Sequence, residues 1–197
     1  MKLLRKVKPI EVKRCFVISD FLSQKYLKQE IKSKNQYLKE LTKAKKVILE
    51  LPELMLDMII KGEYKKRFKI YDKTDWYLGT VKTNEVGVWK RAGEMPLRWT
   101  RNSLEETANF IKQAFQKKPK KITKRWQMAI PGILKNSPSI IQKEKYLFPI
   151  ILPGGMMGRK GLKKMKGDID DGCMRSIALA MSGKKEIKAY IGKKIKK

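Results

Sequence analysis

Between residues 20 and 50 apolar side chains recur at roughly helical spacing, Leu27 and Ile31, then Leu38, Leu41 and Ile48, with lysines between them. That period predicts helix over 20–50, with Ser19 or Asp20 placed to cap it. Pro52 then opens a second, shorter helix carrying Leu54, Met55, Met58 and Ile59, and Gly62 stops it. From Lys66 the period changes. Phe68 and Ile70, then Trp76-Tyr77-Leu78, then Val86-Gly87-Val88-Trp89 read as short strands, with Thr83-Asn84 as a turn.

The stretch 91–96 is a candidate boundary. It divides the chain into an N-terminal helical and β-hairpin region, 1–92, and a second domain, 93–197. Beyond it, Ser103-Leu104-Glu105-Glu106 has the Ser-x-x-Glu pattern in which each side chain caps an orphan backbone N–H. Leu104, Ala108, Ile111 and Phe115 follow at helical spacing. Residues 117–125 hold six basic side chains and no acid. Further helix is expected near 126–134, and Ser137-Pro138 starts another. A strand is expected over 145–152, with Pro149 disfavouring a central hydrogen-bonded position. A loop over 153–167 follows, then a short strand ending near Asp170 and a turn at Asp171-Gly172. A helix from Cys173 to Met181, stopped by Gly183, leads to a last strand over 186–191.

Composition narrows the chemistry. The chain has 197 residues, 42% of them apolar, enough for a real core. Lys and Arg number 48 against 19 Asp and Glu, a net charge of +29 that a polyanion would relieve. The basic residues are spread along the chain rather than confined to one amphipathic helix, which ranks nucleic acid above an anionic membrane surface. No apolar run reaches the length of a membrane span; the longest lies near 54–60. Met1-Lys2-Leu3-Leu4-Arg5-Lys6 starts like a signal peptide but has no apolar segment behind it. Histidine is absent, which excludes a Ser-His-Asp triad and every histidine-containing metal site. Cys15 and Cys173 match no zinc-ligand spacing, and a protein of a reducing compartment, the cytoplasm, is expected.

The closing segment carries a motif. Asp170-Asp171-Gly172-Cys173-Met174-Arg175-Ser176-Ile177-Ala178-Leu179-Ala180, then Gly183 and Ile187-Lys188-Ala189-Tyr190, resembles the ParB/sulfiredoxin superfamily. There a strand ends in Asp-Gly-x-x-Arg or Gly-Cys-His-Arg and runs into an Ala-rich helix, a glycine stop and a strand. Tyr146 to Leu152, with Pro149-Ile150, is similar to the preceding strand of that family. The resemblance implies an α+β fold, a small mixed sheet with helices, preceded here by the helical and β-hairpin region. It implies that Gly172, Cys173, Arg175 and Ser176 hold a nucleotide, ATP or CTP, with Mg2+. Asp170 and Asp171 would be the metal ligands, and with Arg175 the catalytic set of a phosphotransferase or nuclease acting on DNA. A phage or plasmid setting, with action in the host cytoplasm, belongs to the same expectation.

Physical reasoning agrees with part of this. Glycine at a strand-to-helix turn lets backbone approach a ligand, and the helix N-terminus behind it favours an anion. A thiol at Cys173, beside Arg175, would have a depressed pKa. In the sulfiredoxin motif histidine stands where this chain has Met174, and the family's kinases carry histidine where it has Cys173. The plain alternatives are that Asp171-Gly172 is only a turn, Arg175 a surface residue and Cys173 a small turn filler.

The loop 153–167 holds five glycines and the basic residues Arg159, Lys160, Lys163, Lys164 and Lys166. It is no Walker loop, because no Gly-Lys-Ser/Thr follows. With Lys117, Lys118, Lys120, Lys121, Lys124 and Arg125, and the tail 193–197, it gives three clusters for phosphates. DNA is the first expectation and RNA the second. A non-catalytic basic DNA- or RNA-binding protein, using the same fold as scaffold, is the alternative to an enzyme. Trp76, Trp89, Trp99 and Trp126 are either base-stacking or core residues.

Overall fold

The structure, a computed structural model, describes residues 1–27, 31, 33–60, 63–116, 138–155 and 157–194. The fold is α+β, eight described α-helices around one six-stranded mixed sheet. The strands are β1 (Lys2–Val7), β2 (Thr74–Lys82), β3 (Val86–Gly87), β4 (Ile150–Pro153), β5 (Gly167–Asp171) and β6 (Glu186–Lys194). Their order is β1-β2-β6-β4-β5-β3. The long pair β2 and β6 runs antiparallel from Thr74 opposite Lys194 to Lys82 opposite Glu186. The shorter β4 lies parallel to β6 and antiparallel to β5, and β3 joins β5 in parallel.

Two strands depart from expectation. β1 is an edge strand whose lysines and arginine stay exposed, so it lacks the apolar alternation that marks a half-buried strand. β2 and β3 form no hairpin. After Lys82, Thr83 N donates to Lys185 O at 2.9 Å as a last rung beside β6, Glu85 O then accepts from Lys166 N at 3.0 Å just before β5, and β3 lies at the opposite edge. Both edges of the sheet therefore come from residues 1–92, and β4, β5 and β6 fill the space between. The N-terminal region completes the core of the closing unit, and the boundary expected at 92/93 falls inside one fold.

The helices are α1 (Pro9–Leu27), α2 (Lys34–Glu50), α3 (Glu53–Ile59), α4 (Glu63–Asp72), α5 (Leu97–Thr100), α6 (Leu104–Gln116), α7 (Pro138–Lys143) and α8 (Cys173–Met181). The helix expected over 20–50 is two. Ser19 and Asp20 lie inside α1, and the cap of α2 is Ser33, whose Oγ accepts from Gln36 N at 3.2 Å. Phe68 and Ile70 belong to α4, where Tyr64, Phe68 and Tyr71 at helical spacing pack edge-on around Phe16. The cap at Ser103 forms as expected, its Oγ accepting from Glu106 N at 3.2 Å. Helix expected near 126–134 lies outside the described residues.

α3 brings its acidic residues to a buried lysine of α1. Lys13 Nζ, itself 1% exposed, meets Glu53 at 3.1 Å, Asp57 at 3.0 Å and Asp72 at 2.8 Å. Leu56 packs into the core, while Leu54, Met55, Met58 and Ile59 stay exposed. A buried lysine needs such partners. Among the described residues no helix is long and apolar enough to cross a membrane.

Candidate nucleic-acid interface

The closing unit follows the expected order of strand, long loop, strand, turn, helix and strand, but the first strand, expected over 145–152, starts only at Ile150, with Lys145–Leu147 a 3-10 turn before it. Gly172 caps α8 at φ 84°, a left-handed backbone that suits glycine. A Cβ there would lie 2.8 Å from Arg175 Nη2 and 3.1 Å from Pro149 Cα. The space that glycine leaves is filled by the protein's own arginine. Arg175 folds beneath the turn, where Nε donates to Leu147 O at 2.9 Å and Nη2 to Asp171 Oδ2 at 2.7 Å. Nη1 donates to Ser19 Oγ, and that hydroxyl donates to Asp171 Oδ2 at 2.9 Å. The residue is buried, and so is Ser176. Neither presents a donor to a nucleotide outside.

The three aspartates of β5 go to three different partners. Asp168 is buried, its Oδ2 accepting from Gly155 N at 2.8 Å and its Oδ1 lying 3.3 Å from Arg159 Nε. Asp170 accepts from the Tyr71 hydroxyl at 2.5 Å and stands 3.8 Å from Arg67 Nε. Burial raises the Asp170 pKa, with Arg67 and the tyrosine hydrogen bond acting against it. Asp171 is taken by Arg175 and Ser19. Each carboxylate is thus matched to an arginine, and among the described residues no group of three or more Cys, Asp or Glu is placed to hold a metal ion. Asp170 and Asp171 do not offer the open set of oxygens that magnesium takes.

Cys173 is half-buried, and its thiol donates to Ile169 O at 3.6 Å. Burial pushes its pKa up to about 12, and the Asp171 and Asp170 charges add to that, against a hydrogen bond from the Trp89 backbone and the charge of Arg67. The depressed pKa expected for this thiol is not found, because burial outweighs the cation and Arg175 is committed to Asp171. Iodoacetamide at pH 7.5 should therefore modify Cys173 at least about a hundredfold more slowly than a free thiol. A rate like that of a free thiol, followed by peptide mass spectrometry, would contradict this.

The expected phosphate contact Arg159 is an interior residue, 1% exposed. Its Nη1 donates to Val88 O at 2.5 Å and Thr100 O at 2.9 Å. Nη2 donates to Arg101 O at 2.9 Å, Asn102 O at 3.1 Å and Lys163 O at 3.2 Å. Gly87 supplies the room, since a Cβ there would run into the guanidinium. One side chain thus ties together the end of β3, the end of α5 and the glycine-rich loop. Sequence alone cannot tell such a clamp from a surface arginine.

What the clamp holds is a cleft of about 540 Å³, lined by Lys90, Leu97, Arg98, Arg101, Asn102, Gly161, Leu162 and Lys163. Its lining has four cations, all exposed, and no acid. α5 and the residue after it bring Arg98 and Arg101 to one wall at i, i+3 spacing. Lys90 is set by its backbone N–H, which donates to Gly158 O at 2.8 Å, with Gly158 pressed against the Trp89 indole.

No family model, curated protein or solved structure matches the chain. The cleft is read on its own chemistry.

Of the basic residues expected to meet phosphate, Lys163 lines the cleft. Lys160 and Lys164 are exposed on the same loop without lining it. Lys166 is paired with Glu85 at 2.7 Å, and that bond, with one from the Met1 amino group, lowers the Glu85 pKa to about 2. Lys117, Lys118, Lys120, Lys121, Lys124 and Arg125 lie outside the described residues. Lys90, Arg98 and Arg101 went unassigned by sequence reasoning. A signal for the two arginines exists: three of the chain's nine arginines, Arg91, Arg98 and Arg101, fall within eleven residues of a chain whose basic residues are otherwise mostly lysine.

Proposed function

We propose that this protein binds nucleic acid without chemistry of its own, gripping phosphates in the cleft of Lys90, Arg98, Arg101 and Lys163. The observation that carries this reading is the cleft lining, four cations with no acid, in a chain of net charge +29. Protein cations that neutralise phosphates release counterions, so affinity is bought by charge and falls steeply with salt. The Asp-Gly turn, which resembles the ParB/sulfiredoxin motif, serves in this reading as scaffold. Arg175 is engaged with Asp171, and Asp170 with Tyr71 and Arg67, which weighs against a nucleotide-dependent phosphotransferase or nuclease at that turn. DNA is the first ligand to try and RNA the second.

The test is fluorescence anisotropy with a labelled duplex across a range of salt, comparing the protein with a variant carrying Lys90→Gln, Arg98→Gln, Arg101→Gln and Lys163→Gln. All four side chains are exposed, so the variant should melt like the parent. The slope of log affinity against log salt should become shallower by roughly 0.9 for each phosphate contact removed, about 3 to 4 in all. An unchanged slope and affinity would remove the cleft from the binding surface. Running the same titration with duplex RNA of equal length separates the two ligands.

A further inference from the structure

We infer, building on that reading, that the cleft accepts a single-stranded segment with an unpaired base set inside it, in preference to a duplex lying across it. Three features of the lining point this way. The first is shape. A concavity of about 540 Å³ is the size of a small-molecule site, room for one or two nucleotides. A duplex is convex toward a protein and presents phosphates there, its base edges recessed at the floor of its grooves. To read them a protein sends a helix or ribbon outward, and a cleft does the opposite.

The second feature is that the lining is not only charge. Half-buried Leu97 and Leu162 share the lining with the four cations, and so does Asn102, a half-buried residue whose side chain is an amide. Phosphate has no use for leucine. A splayed base does, since its face is apolar and its edge takes the donor and acceptor of an amide. Cations for the backbone together with apolar surface for the base are the combination that single-strand sites use, here with leucine where such sites commonly carry an aromatic ring.

The third feature is rigidity. Two lining residues, Asn102 and Lys163, are fixed through their carbonyls by the Arg159 guanidinium. Leu162 N donates in turn to Arg159 O at 3.0 Å. The walls are set before the ligand arrives, so little ordering is left to oppose binding.

The experiment compares a labelled twelve-nucleotide oligo-dT, a twelve-base-pair duplex and inorganic polyphosphate, the last as a phosphate-only competitor. It uses the full chain and the variants Leu162→Asn and Asn102→Ala. At about 150 mM salt the single strand should bind about tenfold more tightly than the duplex, and polyphosphate should displace it only weakly. Leu162→Asn, which removes the apolar contact of one leucine, should lower single-strand affinity about tenfold while leaving duplex affinity and the salt slope as they were. Asn102→Ala should do the same to a smaller degree. Equal affinity of the parent for single strand and duplex overturns the inference, as does single-strand binding unmoved by both variants. If those results come with a salt slope that still falls in the four-cation variant, the cleft remains a phosphate site and only the inference fails. If the slope is unmoved there as well, the underlying reading fails.

Discussion

Replacing Arg159 by methionine is expected to destabilise the protein by about 3–5 kcal/mol, a large share of the 5–15 kcal/mol typical of a folded domain. The side chain is 1% exposed and donates to five backbone carbonyls, with Asp168 alongside at 3.3 Å. Methionine has similar length and no donor. It would leave the carbonyls of Val88, Thr100, Arg101, Asn102 and Lys163 short of a partner and Asp168 buried without its cation. Lysine would restore the charge but not the planar fork, so Arg159→Lys should recover only part of the loss. Urea denaturation measures both variants. Because three of those carbonyls belong to residues that line the cleft, Arg101, Asn102 and Lys163, nucleic-acid affinity measured well below the unfolding transition should fall too. A methionine variant within about 1 kcal/mol of the parent would mean that the clamp carries little.

Arg175→Met is the second large effect, again about 3–5 kcal/mol. Here the partners are Leu147 O, Ser19 Oγ and Asp171, and α1, β5 and α8 meet at this one guanidinium. The distinguishing measurement is a double-mutant cycle with Asp171→Asn. Removing the arginine alone strands a carboxylate. Removing both charges should cost clearly less than the sum, a coupling of about 1–3 kcal/mol. Nucleic-acid affinity of the folded double variant should match the parent. Additive losses would contradict the buried pair, and a selective loss of nucleic-acid affinity with unchanged stability would restore Arg175 as a ligand contact.

The contrast between these two arginines shows how far the residues could be read in advance. The closing unit was legible because its punctuation is chemical: glycines at 172 and 183 both take left-handed backbone, and the Ala-rich stretch between them has one apolar face. Ser103 announced its helix in the same way. Failures came where a residue's role is set by distant neighbours. Val86-Gly87 looks like the return strand of a hairpin, and only pairing with β5 across the sheet says otherwise. β1 hides because an edge strand of lysines has no buried face to pattern it. The aspartates at 168, 170 and 171 share a strand end, which is where a metal site would be sought. Arg175 pairs with Asp171 at i, i+4, a spacing visible in the sequence, whereas Arg159 reaches Asp168 from the loop and Arg67 reaches Asp170 from α4, which no local pattern encodes. For the cleft, Lys163 was visible in its basic loop, whereas Lys90, Arg98 and Arg101 meet it only through the Arg159 clamp.

Amide chemical-shift mapping of the labelled protein with a short oligonucleotide tests the central claim most directly. The account predicts the largest shifts over residues 88–103 and 158–164, where the cleft walls are, with 170–176 nearly silent. Shifts centred on 170–176, or confined to segments away from the cleft, would contradict it.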